Sequence, residues 1–272
     1  MGEEGYATSK LDDKAASRFL PGIQFWCNLV IAMNGMCLTN ELENIALVIF
    51  DCDGVLIDSE PLASRTLAEM LQEAGITIDA REAHVRFTGN SEPAIRRICE
   101  EELRLTDIDA RFAAWHESLY REFGRSLRSM PGMDAVVAGI NRPKCVASNS
   151  SLDRLQKSLG RLDLWEHFYP AVFSAQMVAD PKPAPDLVLL CAEKFQVRPE
   201  HCVMIDDSPH GIVAARAAGV VAIGFVDPAD PRPDRASLLM ASGASFIAHG
   251  ATELPAAISA ANILLGEANR VA

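Results

Sequence analysis

Five short runs constrain the fold of this chain more than anything else in it: ALVIF (46–50), KCVAS (144–148), AVFSA (171–175), CVMID (202–206) and VVAIGF (220–225). Each is apolar or β-branched and nearly continuous rather than alternating, the pattern of a strand covered on both faces. Helical stretches separate them: MDAVVAGI, SLDRLQKSLG, PDLVLLCAEKF and GIVAARAAG, the second and last ending in a glycine that stops a helix. Strand and helix in this rhythm predict βαβ units and a parallel sheet. A sixth strand, SFIAH (245–249), and a last helix near PAAISAANILL close the domain.

One segment breaks the rhythm. Between Pro61 and Leu127 there is no strand pattern, only amphipathic helices: Leu62, Leu67, Met70, Leu71 and Ala74, then Ile108, Phe112, Trp115, Leu119 and Phe123, at spacings of three and four. These aromatic and leucine stripes read as core. The fold class expected is therefore α/β, a Rossmann-like parallel-sheet core (residues 45–60 plus 128–265) with an inserted helical cap (61–127). Active sites often lie between two such parts.

Residues 1–44 differ in character from the rest of the chain. Met1 to Arg18 is polar and mixed in charge, and Ile23 to Leu38 is apolar but broken by Gln24, Asn28, Asn34 and Gly35. A bilayer needs about 20 predominantly apolar residues, so this is no membrane span. It also lacks the cleavage pattern of a secretory leader. The expectation is an N-terminal extension, or upstream sequence before a start near Met33 or Met36. The formal charge of −12 argues against non-specific binding to nucleic acid or acidic lipid, which needs a basic face. Seven cysteines, at positions 27, 37, 52, 99, 145, 191 and 202, form no CxxC pair. They read as buried thiols of a reducing compartment, and the expected location is the cytoplasm. The oligomeric state is not written in the sequence.

The strand ends carry the chemistry. In an open parallel sheet, ligands bind at the carboxyl ends of the strands. There the sequence places Asp51 and Asp53 after the first run, Ser148 and Asn149 after the second, and Asp206 and Asp207 after the fourth. Lys182 follows the third in DPKPAPD, a proline-stiffened loop. Carboxylates one residue apart repel, so a cation belongs among Asp51, Asp53, Asp206 and Asp207. Oxygen donors without His or Cys favour Mg2+ with a substrate phosphate. A carboxylate there can attack phosphorus to give an aspartyl-phosphate. Asp53 can protonate the leaving alkoxide and later deprotonate water. Ser148, Asn149 and Lys182 are the candidates to hold the non-bridging oxygens. Each feature alone has an ordinary explanation: a helix cap, a turn, a solvated lysine. Their joint placement at successive strand ends does not.

DCDGVLIDSE (51–60), ASNS (147–150), PKPAPD (181–186) and IDDSPHG (205–211) resemble, in order, the four motifs of the haloacid dehalogenase superfamily, over most of the chain from Ile45. The resemblance implies Asp51 as nucleophile, Asp53 as general acid/base, Ser148 and Lys182 as phosphate ligands, and Asp206 and Asp207 as the acidic pair, Asp207 the direct metal ligand. It also implies that the insertion closes over small substrates. Within the superfamily, the stretch from Leu47 to Gly219 is similar to bacterial sugar-phosphate phosphatases, including those acting on 6-phosphogluconate. A Mg2+-dependent phosphatase acting on a small phosphorylated metabolite is expected.

Alternatives differ at single residues. Dehalogenases of the superfamily lack the second aspartate, and phosphonate-cleaving members replace it. The β-phosphoglucomutases resemble one another in carrying a cap histidine and a cap-loop arginine, where this chain has Ala63 and Glu92. A non-catalytic binding protein would have no use for the whole set. Selectivity is expected from the cap loop Thr88, Gly89, Asn90 and Ser91, and from the hinge at Ser59 and Glu60. Asp180-Pro181 precedes Lys182 where relatives often have a glycine.

Overall fold

The computed structural model describes residues 42–271. Most of the expected N-terminal extension, with Cys27 and Cys37, lies outside them. Its last residues belong to the core. Leu42 is buried, and Asn44 donates its backbone N–H to Asn262 Oδ1 (2.9 Å) and its side-chain amide to the Asn262 carbonyl (3.1 Å).

The six runs form six strands: β1 (Leu47–Phe50), β2 (Lys144–Ser148), β3 (Val172–Ser174), β4 (Cys202–Asp206), β5 (Val221–Val226) and β6 (Phe246–His249). All neighbours pair in parallel in the order β3-β2-β1-β4-β5-β6. Two faces are covered, which is why the runs are continuous rather than alternating. Val48, Phe50, Val146, Val203 and Ile205 are buried on one face with α5 (Met133–Gly139) and α10 (Leu254–Val271). Leu47, Ile49, Cys145, Ala147 and Met204 are buried on the other with α7 (Asp186–Lys194), α8 (Pro209–Ala217) and α9 (Arg235–Ser242). Each fully buried Val, Leu, Ile or Phe stabilises by roughly 1.5–3 kcal/mol, so both layers are needed to hold so short a set of strands. Cys52, Cys99, Cys145, Cys191 and Cys202 are buried free thiols, as expected.

The order of strands fixes the site. The chain runs outward from β1 through β2 to β3, then returns to place β4 on the other side of β1. The direction reverses between β1 and β4, and ligands bind at the carboxyl ends at such a point. Phe50 pairs with Ile205, so Asp51 and Asp206 leave the sheet side by side. Asp51 N–H still donates to the Ile205 carbonyl at 2.9 Å.

Between β1 and α5 lie four helices and no strand: α1 (Glu60–Glu73), α2 (Ala80–Phe87), α3 (Glu92–Glu101) and α4 (Ile108–Ser126). The α4 stripe Phe112, Trp115, Leu119 and Phe123 is buried, and Trp115 Nε1 donates to Thr66 Oγ1 at 3.0 Å. Helix α2 starts at a capping box: Asp79 accepts from Glu82 N–H (2.7 Å) and Glu82 accepts from Asp79 N–H (3.1 Å). The two connections to the sheet are zipped together, Asp58 N–H to the Arg128 carbonyl (3.0 Å) and Met130 N–H to the Leu56 carbonyl (2.9 Å). Among the described residues no helix is long and apolar enough to cross a membrane.

Two helices differ from expectation. The stretch 151–160 is helical only as α6 (Leu152–Lys157). Ser158 ends it by donating its hydroxyl back to the Arg154 carbonyl (2.8 Å), and the chain goes on in 3-10 turns rather than stopping at Gly160. Helix α9 has no strong apolar stripe. Only Leu239 is buried while Leu238 and Met240 stay exposed, so its periodicity is faint.

Candidate active site

Lys182 is the centre of the site. Its side chain is 3 % exposed, and Nζ donates to Asp51 Oδ1 and to Asp206 Oδ2, both at 2.8 Å. Burial would lower the Lys182 pKa, but Asp206 and Asp51 outweigh it and hold the ammonium well above its usual range. The lysine is held in turn by Asn149. The Asn149 side chain donates to the Lys182 carbonyl (2.8 Å) and accepts its N–H (3.1 Å). The Asn149 amide, expected on a phosphate oxygen, is thus engaged with the lysine loop at both ends.

Asp51, Asp206 and Asp207 each place a carboxylate oxygen within 4.8 Å of the others. Burial pushes the Asp51 carboxyl well above the carboxylate range. Lys182 opposes this, while Asp206 and Asp207 add to it. Asp207 is raised too, first by burial and then by Glu60 and Asp206. Asp206 is fixed from its other oxygen by the Ser208 N–H (2.8 Å) and hydroxyl (2.7 Å). Ser208 is also the N-cap of α8, accepting the Gly211 N–H. The Lys182 ammonium pairs with Asp51 and Asp206, while the Arg235 and Arg232 guanidinium groups stand 3.8 and 4.0 Å from Asp207 Oδ2, and the trio's donors are all oxygen. A dication such as Mg2+ fits that set.

Asp53, expected among the metal ligands and as acid/base, has its carboxylate outside the acidic trio. Its carboxylate accepts from Ser59 Oγ (2.5 Å), Ser150 Oγ (2.8 Å) and Arg154 Nη2 (3.0 Å). Burial would raise its pKa. Arg154 and the two hydroxyls together outweigh that and hold it below the ordinary value. Ser59 opens α1, yet makes no side-chain cap bond there, because its hydroxyl is given to Asp53. Ser148 is buried and accepts the Ser150 N–H at 3.1 Å, so its own proton can be donated. Gly54 is required twice over: its φ is +76°, and a Cβ would sit 2.9 Å from Asp207 Oδ2.

Of the expected cap contacts, Glu60 alone lines the cavity of about 340 Å³ that opens beside Gly54 and Asp207. Burial raises Glu60 to about 7 despite Arg232. Thr88 Oγ1 lies 3.4 Å from Ser64 Oγ. Asn90 donates back to the Arg86 and Phe87 carbonyls (3.3 and 3.2 Å). Ser91 is exposed at the start of α3, and Gly89 faces Arg232 Nη1, 3.8 Å from the place a Cβ would take. Glu92, standing where a mutase arginine would be, binds Arg96 Nε (2.8 Å) and His116 Nε2 (3.0 Å). These contacts, the hydrogen bond from His116 foremost, lower it to about 2.

Ser150, Arg154, Arg232 and Arg235 are not among the residues expected from the sequence. Arg154 stands in the first turn of α6, directed by the Ser151 cap that accepts its N–H (3.2 Å). The only sequence signal for it was a basic residue soon after ASNS.

Residues 45–219 match the model of the haloacid dehalogenase-like hydrolases. The chain belongs to this family. The family is one of hydrolases. It is 34 % identical over 192 residues to a 6-phosphogluconate phosphatase of Escherichia coli, covering 70 % of this chain and 86 % of that one. It is 34 % identical over 190 residues to a fructose-1-phosphate phosphatase of the same organism, covering 66 % and 96 %. Among solved structures it is similar to a haloacid dehalogenase-like protein of Agrobacterium tumefaciens of unknown function, with a TM-score of 0.72 and 35 % identity, covering 79 % of this chain and 98 % of that one.

Proposed function

We propose that the protein is a Mg2+-dependent phosphatase of small sugar phosphates that works through an aspartyl-phosphate on Asp51. The observation that carries this is the opposite settings of two carboxylates two residues apart: Asp51 among buried acids on Lys182, Asp53 among three donors outside that trio. Environments that push a pair apart assign it two roles.

Bound among Asp51, Asp206 and Asp207, the dication supplies positive charge that keeps Asp51 ionised and screens an incoming phosphate. Asp51 Oδ attacks phosphorus in line, and the ester oxygen leaves with a proton from Asp53. Lys182 and the Ser148 hydroxyl hold non-bridging oxygens, and Asn149 keeps Lys182 in place. Arg154 and the serines favour the carboxylate form of Asp53, which is the form that takes a proton from the water attacking the phospho-aspartate. For the first half-reaction that hold relaxes as the ester oxygen arrives and Asp53 takes up a solvent proton, which it gives to the leaving oxygen; the proton it later takes from the attacking water returns to solvent. Five buried free cysteines suit a reducing compartment, and we place the enzyme in the cytoplasm.

Phosphate release from a panel of hexose, hexitol and sugar-acid phosphates, with and without Mg2+, tests this. Asp51→Asn is expected to lose at least about a thousandfold in kcat, the scale on which removing a nucleophile acts. A Mg2+-independent rate, or substantial turnover by Asp51→Asn, would count against it. Ala63 and Glu92 weigh against a mutase.

A further inference from the structure

The loop between β5 and α9 reaches from the sheet onto the helical insertion. Arg232 Nη2 donates to Glu60 Oε2, at the start of α1, at 3.1 Å. Asp230 Oδ1 lies 3.4 Å from His84 Nε2 on α2. Within the loop, Arg232 grips Asp230 through Nε to both oxygens (2.9 Å) and Nη2 (2.6 Å), and through its backbone N–H (2.8 Å). The Arg232 and Asp230 side chains are only 10 % and 6 % exposed. The same Nη2 stands 4.0 Å from Asp207 Oδ2, and a Cβ added to Gly89 of the cap loop would fall 3.8 Å from Nη1. Glu60, His84 and Asp230 form a second acidic group close enough to hold a metal, but the guanidinium already supplies its positive charge.

One guanidinium therefore touches or faces the first cap helix, the cap loop and the metal-binding edge. Pro228, Pro231 and Pro233 restrict the loop before it binds, so little chain entropy is lost in presenting Arg232. A largely dry, forked pair is also stronger than an exposed one. Nε and Nη2 are committed to Asp230 and Glu60, and Arg232 also lines the cavity beside Asp207.

We propose that Arg232 is a positioning residue for the hydrolysis, tying the start of α1 to the Asp207 edge so that the insertion stays over the site in its substrate-binding arrangement. This rests on the phosphatase reading. A ligand that binds only the tied arrangement has an apparent affinity reduced by the fraction tied. Loss of the tie then raises KM more than it lowers kcat, whereas simple loss of folded protein lowers kcat alone.

The test is a double-mutant cycle of Glu60→Gln and Arg232→Gln with a hexose phosphate at about pH 8, above the value of about 7 to which burial raises Glu60. Each single variant is expected to raise KM about tenfold, the double variant no more than either single, and Arg232→Lys, which keeps charge but not the fork, to recover part of the loss. In parallel, amide hydrogen exchange is expected to quicken in α1 and α2 and to hold in β1 and β4. Multiplying effects in the double variant, a fall in kcat without a rise in KM, or unaltered exchange would overturn the inference. Absence of hydrolysis in the natural protein would instead overturn the phosphatase reading, and the exchange measurement would then decide the tie alone.

Discussion

Lys182 carries two buried acids at once, so its loss is expected to cost more than any surface charge. Lys182→Met leaves Asp51 and Asp206 without their counterion. Removing one partner of a buried pair costs about 3–5 kcal/mol, and urea unfolding is expected to show a loss on that scale together with loss of turnover. A second substitution, Asp206→Asn, removes one orphaned charge and is expected to restore part of the stability. If Lys182→Met unfolds like the natural protein, the lysine is not holding these acids. At this scale the sequence was legible where function follows chain order. Asp51, Ser148, Asp206 and Asp207 each sit at a strand end that continuous apolar runs announce, and Lys182 sits in the proline-stiffened loop that follows β3. It was not legible where function follows contact. Arg154 and Arg232 act on Asp53 and Glu60 across 101 and 172 residues, and no local pattern marks such a partner. Asn149 was legible as part of the site but not in its task, because only the folded loop shows its amide filled by Lys182.

Helix α8 shows how an element holds a residue it does not contain. Ser208 caps it and grips Asp206, and Gly211 in its first turn lies so close that an added Cβ would fall 1.7 Å from Asp206 Oδ2. Alanine is ordinarily better than glycine in a helix by about 1 kcal/mol. Displacing a buried, paired carboxylate costs more, about 1–3 kcal/mol for overpacking alone, so the steric effect decides the sign. Gly211→Ala is expected to destabilise and to lose most activity. Gly139→Ala, at the end of α5 where a Cβ would meet nothing within 4 Å, is expected to be neutral or slightly stabilising. Equal melting temperatures for the two variants would contradict this packing. The strands and the α1 and α4 stripes of the insertion were readable because each buries a regular face, whereas the shorter α2 and α3 were not marked individually. Helices α6 and α9 were misread or missed because Ser158 bonds back into one and the other buries a single leucine.

Across the whole molecule, the sheet reversal at β1 and β4 gathers acids from distant parts of the chain at one edge, and a ligand that neutralises them couples to stability. Burial and mutual repulsion raise Asp51 and Asp207, so a bound dication stabilises the folded state relative to the unfolded chain, which has no such site. At a hundredfold excess over Kd the gain is about 2.7 kcal/mol. Mg2+ is therefore expected to raise Tm by several degrees, and Asp207→Asn to lose most of that rise. An equal rise in that variant would place the ion elsewhere. A phosphoryl group carried by Asp51 can be trapped chemically. The Mg2+-loaded protein is mixed with a hexose phosphate, quenched in acid within one turnover, reduced with borohydride and digested for peptide mass spectrometry. Residue 51 alone is expected to be converted to homoserine, in an amount that rises and then falls as substrate is consumed. Phosphate release with Asp51 left intact, or trapping at any other residue, would contradict it.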